Sequence, residues 1–570
     1  MAGSSKLTFG LILAVSSVWS VASWGAEANT ASSSASAVSS AAKPAKGTIQ
    51  TAESQATVSA RIDQLLAKEL SFDKVKDQLA PRTSDEVYLR RVYIDLVGEL
   101  PSPTELTLFA FDPSPTKRAA VVEKLLGDAR FGRNWGRYWR DVIMYRRAED
   151  RALLVSRPAE EVLTARFNAN LSWDKIAREF IEAKGNIAEH GETAVIMAQM
   201  AEAVDVASEV SRIFMGVQIQ CAQCHNHPTD RWKREQFHEF AAFFPRMAVR
   251  PVQVNGQQRG FELVSRDFPG FRRPGGGAGD IEHYMPDLKD PAAKGTMMTP
   301  VFFATGEKLT SGATDVDRRG SAADWITSTS NPWFAKAFVN RLWAELVGEG
   351  FYEPIDDLGP DRKPSAPETV QYLADQFAAH QYDVKWLFRA VMATAAYERE
   401  SRPRRNADET PFLANGSQRM RSDQVFDVLG SALGVDLVGQ QGNYRGGGNF
   451  PGALLGARFQ FSSTFGFDPS AQRDDVTSTI PQALLLMNGG QINQAMNARN
   501  SNTQLGRLVS QTSDDEELVV ELYLRCLARE PNRQELSLSL EHVKSSSDRH
   551  EAFEDLLWAL INRTEFVFRN

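Results

Sequence analysis

With 42% hydrophobic and 24% charged residues, 11 Trp and 32 Phe over 570 positions, the chain has the composition of a globular protein able to bury sizeable cores. A formal net charge of −8 supplies no concentrated basic surface, which argues against a nucleic-acid partner. Three cysteines in so long a chain exclude a disulfide scaffold.

The chain opens with Lys6, an apolar run from Leu7 to Val21, and small residues around Gly25 and Ala28, the pattern of a secretory signal over 1–25. Ser and Gly interrupt that run too often for a membrane span, so the mature protein is expected to be exported and to lack a transmembrane segment. Residues 26–58 are mostly Ala, Ser, Thr and Lys, which bury too little apolar surface to order, and read as a flexible linker.

Beyond it, apolar residues recur at helical spacing in "SARIDQLLAKEL", "SDEVYLRRVYIDLVGELP" and the long run from Pro101 to Tyr145, with Thr104 and Ser114 as expected caps. Arginines interleaved with aromatics in "GRNWGRYWRD" read as a salt-bridged helix surface. Val206, Val210, Ile213, Val217, Cys221 and Cys224 follow at steps of four, three, four, four and three. That spacing predicts one helix with both thiols on its buried stripe, ended by Pro228. Trp232, Phe237, Phe240, Phe243 and Phe244 add an aromatic surface able to wall a flat cofactor or to pack on itself.

From Arg250 to about Thr310 the chain turns glycine-rich with short β-type runs. Helical patterns then resume in "SNPWFAKAFVNRLWAELVGEG", where Asn331 is the expected cap, Pro332 the first helical position and Gly348 the stop. The expected class is mainly α, with helical domains at 59–249 and 316–570 separated by an irregular glycine-rich insert, 250–315, with possible short strands. Asp356 and Asp357 read as turn or cap residues, "STIPQALLLMN" as a core helix, and Cys526, inside a helical pattern, as a buried structural thiol.

The chemistry concentrates in "IQCAQCHNHPTDRW". Two thiols three positions apart can each add to one vinyl group of a porphyrin while His225 presents a nitrogen to the iron. Covalent haem on Cys221 and Cys224, with His225 as axial ligand, is the leading reading. His227, His238, His283, Met285, Met297 and Met298 are the candidates for a second ligand, and spacing does not choose among them. Zinc held by Cys221, Cys224 and His227 or His238 stays open, as do a Cys221–Cys224 disulfide and a hydrolytic metal centre on His227, Asp230 and His238. The glycine runs "RRPGGGAGD" and "NYRGGGNFPG" lack the Lys-Ser or Lys-Thr of a phosphate loop.

The runs "MGVQIQCAQCHNHPTDRWKREQFHEFAAFF", "YLRRVYIDLVGELPSPTEL" and "FGRNWGRYWRDVIMY" resemble the secreted cytochrome-type domain of unknown function abundant in planctomycetes. "SNPWFAKAFVNRLWAELVGEGFYEPIDDLGP", "RMRSDQVFDVL" and "LYLRCLAREPNRQEL" resemble the second domain of unknown function that follows it in the same proteins. The resemblance implies an exported cytochrome-like protein and hands over no activity. Asn226 and Thr229 stand where such proteins often have Asp and an aromatic, and Ala366 stands where they tend to have a histidine, which argues against an essential acid, base or ligand there. Two function classes follow: a haem redox protein acting on an unknown redox partner or small molecule, and a non-redox surface or binding protein whose Cys and His residues brace a domain junction.

Overall fold

The computed structural model describes residues 51–254, 258–268, 281–310, 312–404, 406, 408–435, 457–466, 468–470 and 480–569. The signal segment, most of the linker and both glycine runs lie outside these residues.

Helix α1 (Gln55–Glu69) is capped by Ser54, whose hydroxyl accepts the Thr57 N–H, and buries Val58, Ile62, Leu65 and Leu66 along one face. Its first turn takes in residues 55–58, which composition had placed in the linker. Next come α2 (Asp85–Val97), α3 (Pro103–Phe111), α4 (Lys117–Leu126), α5 (Ala129–Met144) and α6 (Ser156–Asn168). The cap of α3 is Ser102, in a reciprocal box with Glu105 and with Pro103 at the first position; Thr104, the expected cap, lies inside the helix. For α4 the cap position is Thr116, two residues after the expected Ser114.

The arginines of α5 pair as their pattern implied: Arg130 and Arg133 with Glu99, and Arg137 and Arg140 with Glu160. Glu160 belongs to α6, and the α5 backbone lies against that same helix because Gly132 and Gly136 carry no side chain. A Cβ on Gly132 would sit 2.4 Å from the Thr164 carbonyl oxygen.

Helices α7 (Trp173–Glu182), α8 (Ala194–Ala198), α9 (Ala203–Met215) and α10 (Arg234–Ala241) complete the first helical region. The glycine-rich region does contain short strands. β2 (Met247–Val254) and β3 (Gln258–Ser265) pair antiparallel, Met247 opposite Ser265, and β1 (Gly185–Asn186) adds to the far edge of β3. Further on, β4 (Tyr284–Met285) pairs antiparallel with β5 (Thr296–Met297).

The second region holds α11 (Asp315–Ile326), α12 (Phe334–Val347), α13 (Pro367–Ala379), α14 (Val384–Met392), α15 (Ala395–Glu398), α16 (Ser422–Leu433), α17 (Ala457–Phe465), α18 (Ile480–Asn488) and α19 (Gly490–Ala495). It ends with α20 (Gln504–Gln511), α21 (Asp515–Leu527), α22 (Arg533–Ser545), α23 (Arg549–Ile561) and α24 (Thr564–Val567). The mainly α expectation holds.

Asn331 does not cap α12. Its Oδ1 accepts the Trp333 N–H in the preceding turn, and the helix starts three residues later, ending at Gly348 in the left-handed region as expected. Nor is α18 a core helix: only Gln482 and Leu486 are buried, while Ile480 and Leu484 face solvent.

Helices from both regions share one hydrophobic core. Trp139 of α5 stacks on Phe338 of α12, and Phe131 meets Phe388 of α14 edge-on at 5.2 Å. Two arginines of α2 are buried in it with backbone carbonyls as their partners. Arg90 donates to the carbonyls of Glu565, Phe566 and Phe568, and Arg91 to those of Tyr397 and Arg399. Burial pushes both guanidinium groups down to about 10, a range in which they stay charged at neutral pH.

Candidate functional site

The apolar stripe of α9 runs as expected through Val206, Val210 and Ile213 to Val217, all buried. It does not reach the cysteines. Gly216 turns the backbone into the left-handed region (φ 62°), and its N–H and that of Val217 fold back onto the carbonyls of the last helical turn. Glycine is required there twice over, since a Cβ would also sit 2.9 Å from Leu358 Cδ1. A short 3-10 helix, Ile219–Gln223, follows. Within it Ile219 and Ala222 face inward, while Cys221 and Cys224 are exposed free thiols. Both thiols therefore face solvent instead of lining the stripe, because the helix that would have buried them stops six residues before Cys221.

His225, also exposed, has Nδ1 2.7 Å from the Asn226 carbonyl oxygen. A carbonyl can only accept, so Nδ1 carries the proton and, in the neutral ring, Nε2 keeps its lone pair. His227 has the opposite tautomer: its Nδ1 accepts the Thr229 N–H at 3.3 Å, which puts the proton of the neutral ring on Nε2. The loop closes where the His227 N–H meets the Trp232 carbonyl at 2.8 Å, and Trp232 is buried against Phe303 and Trp333.

Of the more distant candidates, His238 and His283 come together. His238, buried in α10, has Nε2 3.0 Å from the Gln223 carbonyl oxygen between the two cysteines, and its Nδ1 lies 2.8 Å from His283 Nε2. Burial lowers the pKa of both rings, that of His283 to about 4, so both are neutral at pH 7. The carbonyl fixes the order of protons: His238 Nε2–H donates to Gln223, and His238 Nδ1 accepts from His283 Nε2–H. Both nitrogens of His238 are thereby engaged. The N–H of Met298 bonds the His283 carbonyl at 2.9 Å, and Met285 and Met297 sit on the β4–β5 pair beside it, Met297 exposed and Met298 buried. Among the described residues no three His, Cys, Asp or Glu side chains converge on a point that would hold a metal ion.

The aromatic residues do not form an open wall. Phe237, Phe240, Phe243 and Phe244 are fully buried, and rings of Phe240 and Phe243 meet Phe244, Phe302, Phe303 and Trp325. They form a closed core under α10, and the exposed Cys221 and Cys224 lie outside it.

Sequence reading missed what holds the motif. Asp356, taken for a turn residue, is a completely buried carboxylate. It pairs with Arg212 of α9 at 3.1 Å and Arg341 of α12 at 3.5 Å, and accepts from Ser470 Oγ at 2.6 Å and Gln218 Nε2 at 2.8 Å. Burial pushes its pKa up, and Arg341 and Arg212 more than reverse that, so it ionises below the usual carboxylate range. Gln218 is the residue just before the motif turn. On the other side the segment 357–362 clasps the motif loop: Leu358 N–H bonds the Gly216 carbonyl at 2.7 Å, Arg231 pairs with Asp361, and Arg362 donates to Thr229 Oγ1. Gly359 has no side chain where the Asp230 carboxylate packs; a Cβ there would lie 1.6 Å from Oδ2. Cys526 is buried in α21 as expected, and burial pushes its thiol up to about 12.

The donor set fits a covalently held haem: two accessible free thiols at the attachment spacing, followed by an imidazole whose Nε2 lone pair is open. Residues 61–248 match the model of the family described as PSCyt2, Protein of unknown function (DUF1549). Residues 318–442 match that of PSD1, Protein of unknown function (DUF1553). The two matches follow one another along the chain. No curated protein and no solved structure matches it. Among the described residues no helix is long and apolar enough to cross a membrane.

Proposed function

We propose that the protein is an exported redox carrier with one covalently bound haem, tethered through Cys221 and Cys224 and ligated by Nε2 of His225. The observation that carries the reading is the His225 Nδ1–H bond to the Asn226 carbonyl, which leaves the iron-facing nitrogen unprotonated beside two solvent-facing thiols. The leader read in residues 1–25 and the cytochrome-related name of the PSCyt2 family support it. When bound, the haem supplies an iron that gains and loses one electron. The chain's own residues do the holding. Gln218 and Asp356 fix the start of the turn, Arg231, Arg362 and Gly359 fix the loop after it, and the closed aromatic core packs beneath them. His227 serves the loop, through Thr229 and Trp232.

The test is export of the full chain in a host with haem-attachment machinery. A sharp absorption at about 400 nm that stays with the polypeptide after acid denaturation, and one haem mass on the peptide spanning Cys221–His225, are expected. A colourless product with both thiols free overturns the assignment.

A further inference from the structure

We infer that His238 and Arg234 are positioning residues that clamp the carbonyl of Gln223 and so set how the two sulfurs are presented; this rests on the haem reading above.

The two side chains are four residues apart on α10 and both reach the same oxygen, His238 through Nε2–H at 3.0 Å and Arg234 through Nε–H at 3.3 Å. Gln223 ends the 3-10 helix, where a carbonyl has no partner within the helix itself. With the oxygen held from the buried side, Ala222 faces inward, and Cys221 and Cys224, which flank the Ala222–Gln223 pair, point outward.

The clamp extends in both directions. His283 Nε2–H donates to His238 Nδ1 and thereby locks the tautomer that keeps the Nε2 proton aimed at Gln223. Arg234 also bonds the Pro286 carbonyl at 2.6 Å, and its own N–H bonds Asn226 Oδ1 at 3.1 Å. Asn226 is the residue whose carbonyl orients His225, so one helical turn of α10 holds the carbonyl between the sulfurs and the residue that aims the imidazole.

The chemistry this serves is addition of each S–H across one vinyl C=C. A C–S and a C–H bond form, the π bond and the S–H bond break, nothing leaves and no net electron moves. Both additions succeed only when the two sulfurs are held at the separation of two vinyl groups on one ring.

The experiment compares wild type, His238→Leu, His238→Gln and Arg234→Ala, each exported with attachment machinery. The mass of the motif peptide counts haem linkages, and the apoproteins are alkylated with iodoacetamide to give the ratio of Cys221 to Cys224 rates. Loss of one hydrogen bond is expected to raise haem held by a single sulfur about tenfold in His238→Leu. The alkylation ratio is expected to move about threefold, part of that same tenfold factor. His238→Gln, which keeps an N–H donor at similar reach, restores both readouts, and Arg234→Ala shows a smaller change in each. Wild-type linkage and an unmoved ratio in a His238→Leu protein with native far-UV circular dichroism overturn the clamp. If His238→Leu fails to fold, Arg234→Ala decides by the same two readouts. A wild type without haem sinks the haem reading alone, because the alkylation ratio still decides the clamp.

Discussion

Replacing Asp356 by Asn keeps the shape of the side chain and removes the one charge that Arg212 and Arg341 share. Arg212 keeps its contacts with Glu209, at 2.6 and 3.0 Å, and with the Val142 carbonyl. Arg341 keeps the Pro469 carbonyl and loses its closest carboxylate, so the cost is mainly that of a buried cation left undercompensated. Breaking a buried pair costs about 3–5 kcal/mol, and the surviving Glu209 pair argues for the lower end, about 3 kcal/mol. An unfolding entropy of about 2.1 cal/mol/K per residue over roughly 510 residues gives ~1.1 kcal/mol/K, so that cost lowers Tm by about 3 °C. The neighbouring Asp357→Asn loses only a partly exposed pair with Arg362 and should shift Tm by less than about 1 °C. Scanning calorimetry of both variants is the assay. Alkylation of Cys221 should also speed up in Asp356→Asn, because the one amide oxygen turns to Arg212, Arg341 and Ser470 and the NH2 is left facing the Gln218 Nε2–H, which loses its acceptor. Equal Tm shifts in the two variants, or an unchanged Cys221 rate, would refute the view that Asp356 anchors the site.

Three further outcomes are expected. The apoprotein should titrate two fast thiols with Ellman's reagent at pH 8 and the third, Cys526, only after denaturation, since burial holds that thiol at about 12. Arg569→Ala, which removes a buried partner lying 2.5 and 2.8 Å from the Asp95 oxygens, should cost about 3–5 kcal/mol in urea unfolding. Asp63 has its pKa raised from 3.8 to about 6, first by burial. The folded state then binds this proton more tightly than the unfolded one, so its contribution grows as pH falls through 6 towards 3.8 and is absent at pH 7. Asp63→Asn, which keeps an acceptor for the Ala395 N–H, should stabilise the half-buried site by about 1 kcal/mol at pH 7 and lose that advantage by pH 4.

What was legible in the sequence was whatever depends on residues near one another in the chain. The 3.6-residue period found the helices, Gly348 was read as a stop, and the arginines of α5 were read as paired. Errors arose where a single backbone conformation overrode periodicity. The step pattern from Val206 to Cys224 is an unbroken helical stripe on paper, yet Gly216 ends it, because only glycine fits both its left-handed backbone and the approach of Leu358. One residue thereby turned two expected core thiols into two accessible ones, and accessibility is what attachment to a cofactor requires.

The support around the motif was illegible for a different reason. Asp356 lies 144 positions from Arg212 and 138 from Gln218, and His283 lies 45 from His238, so no local pattern announces these pairs. A signal did exist on α9: Glu209 and Arg212 sit one turn apart in a helix that buries ten consecutive residues, Val206 to Met215. A charged pair so placed must find partners from another element, since a buried guanidinium with one carboxylate leaves donors unmet. The residues that hold this site are therefore better sought among charges stranded in apolar helices than among the motif's own neighbours. By that criterion Arg341 of α12, buried amid Phe338, Leu342 and Trp343, points to Asp356 as directly as Arg212 does.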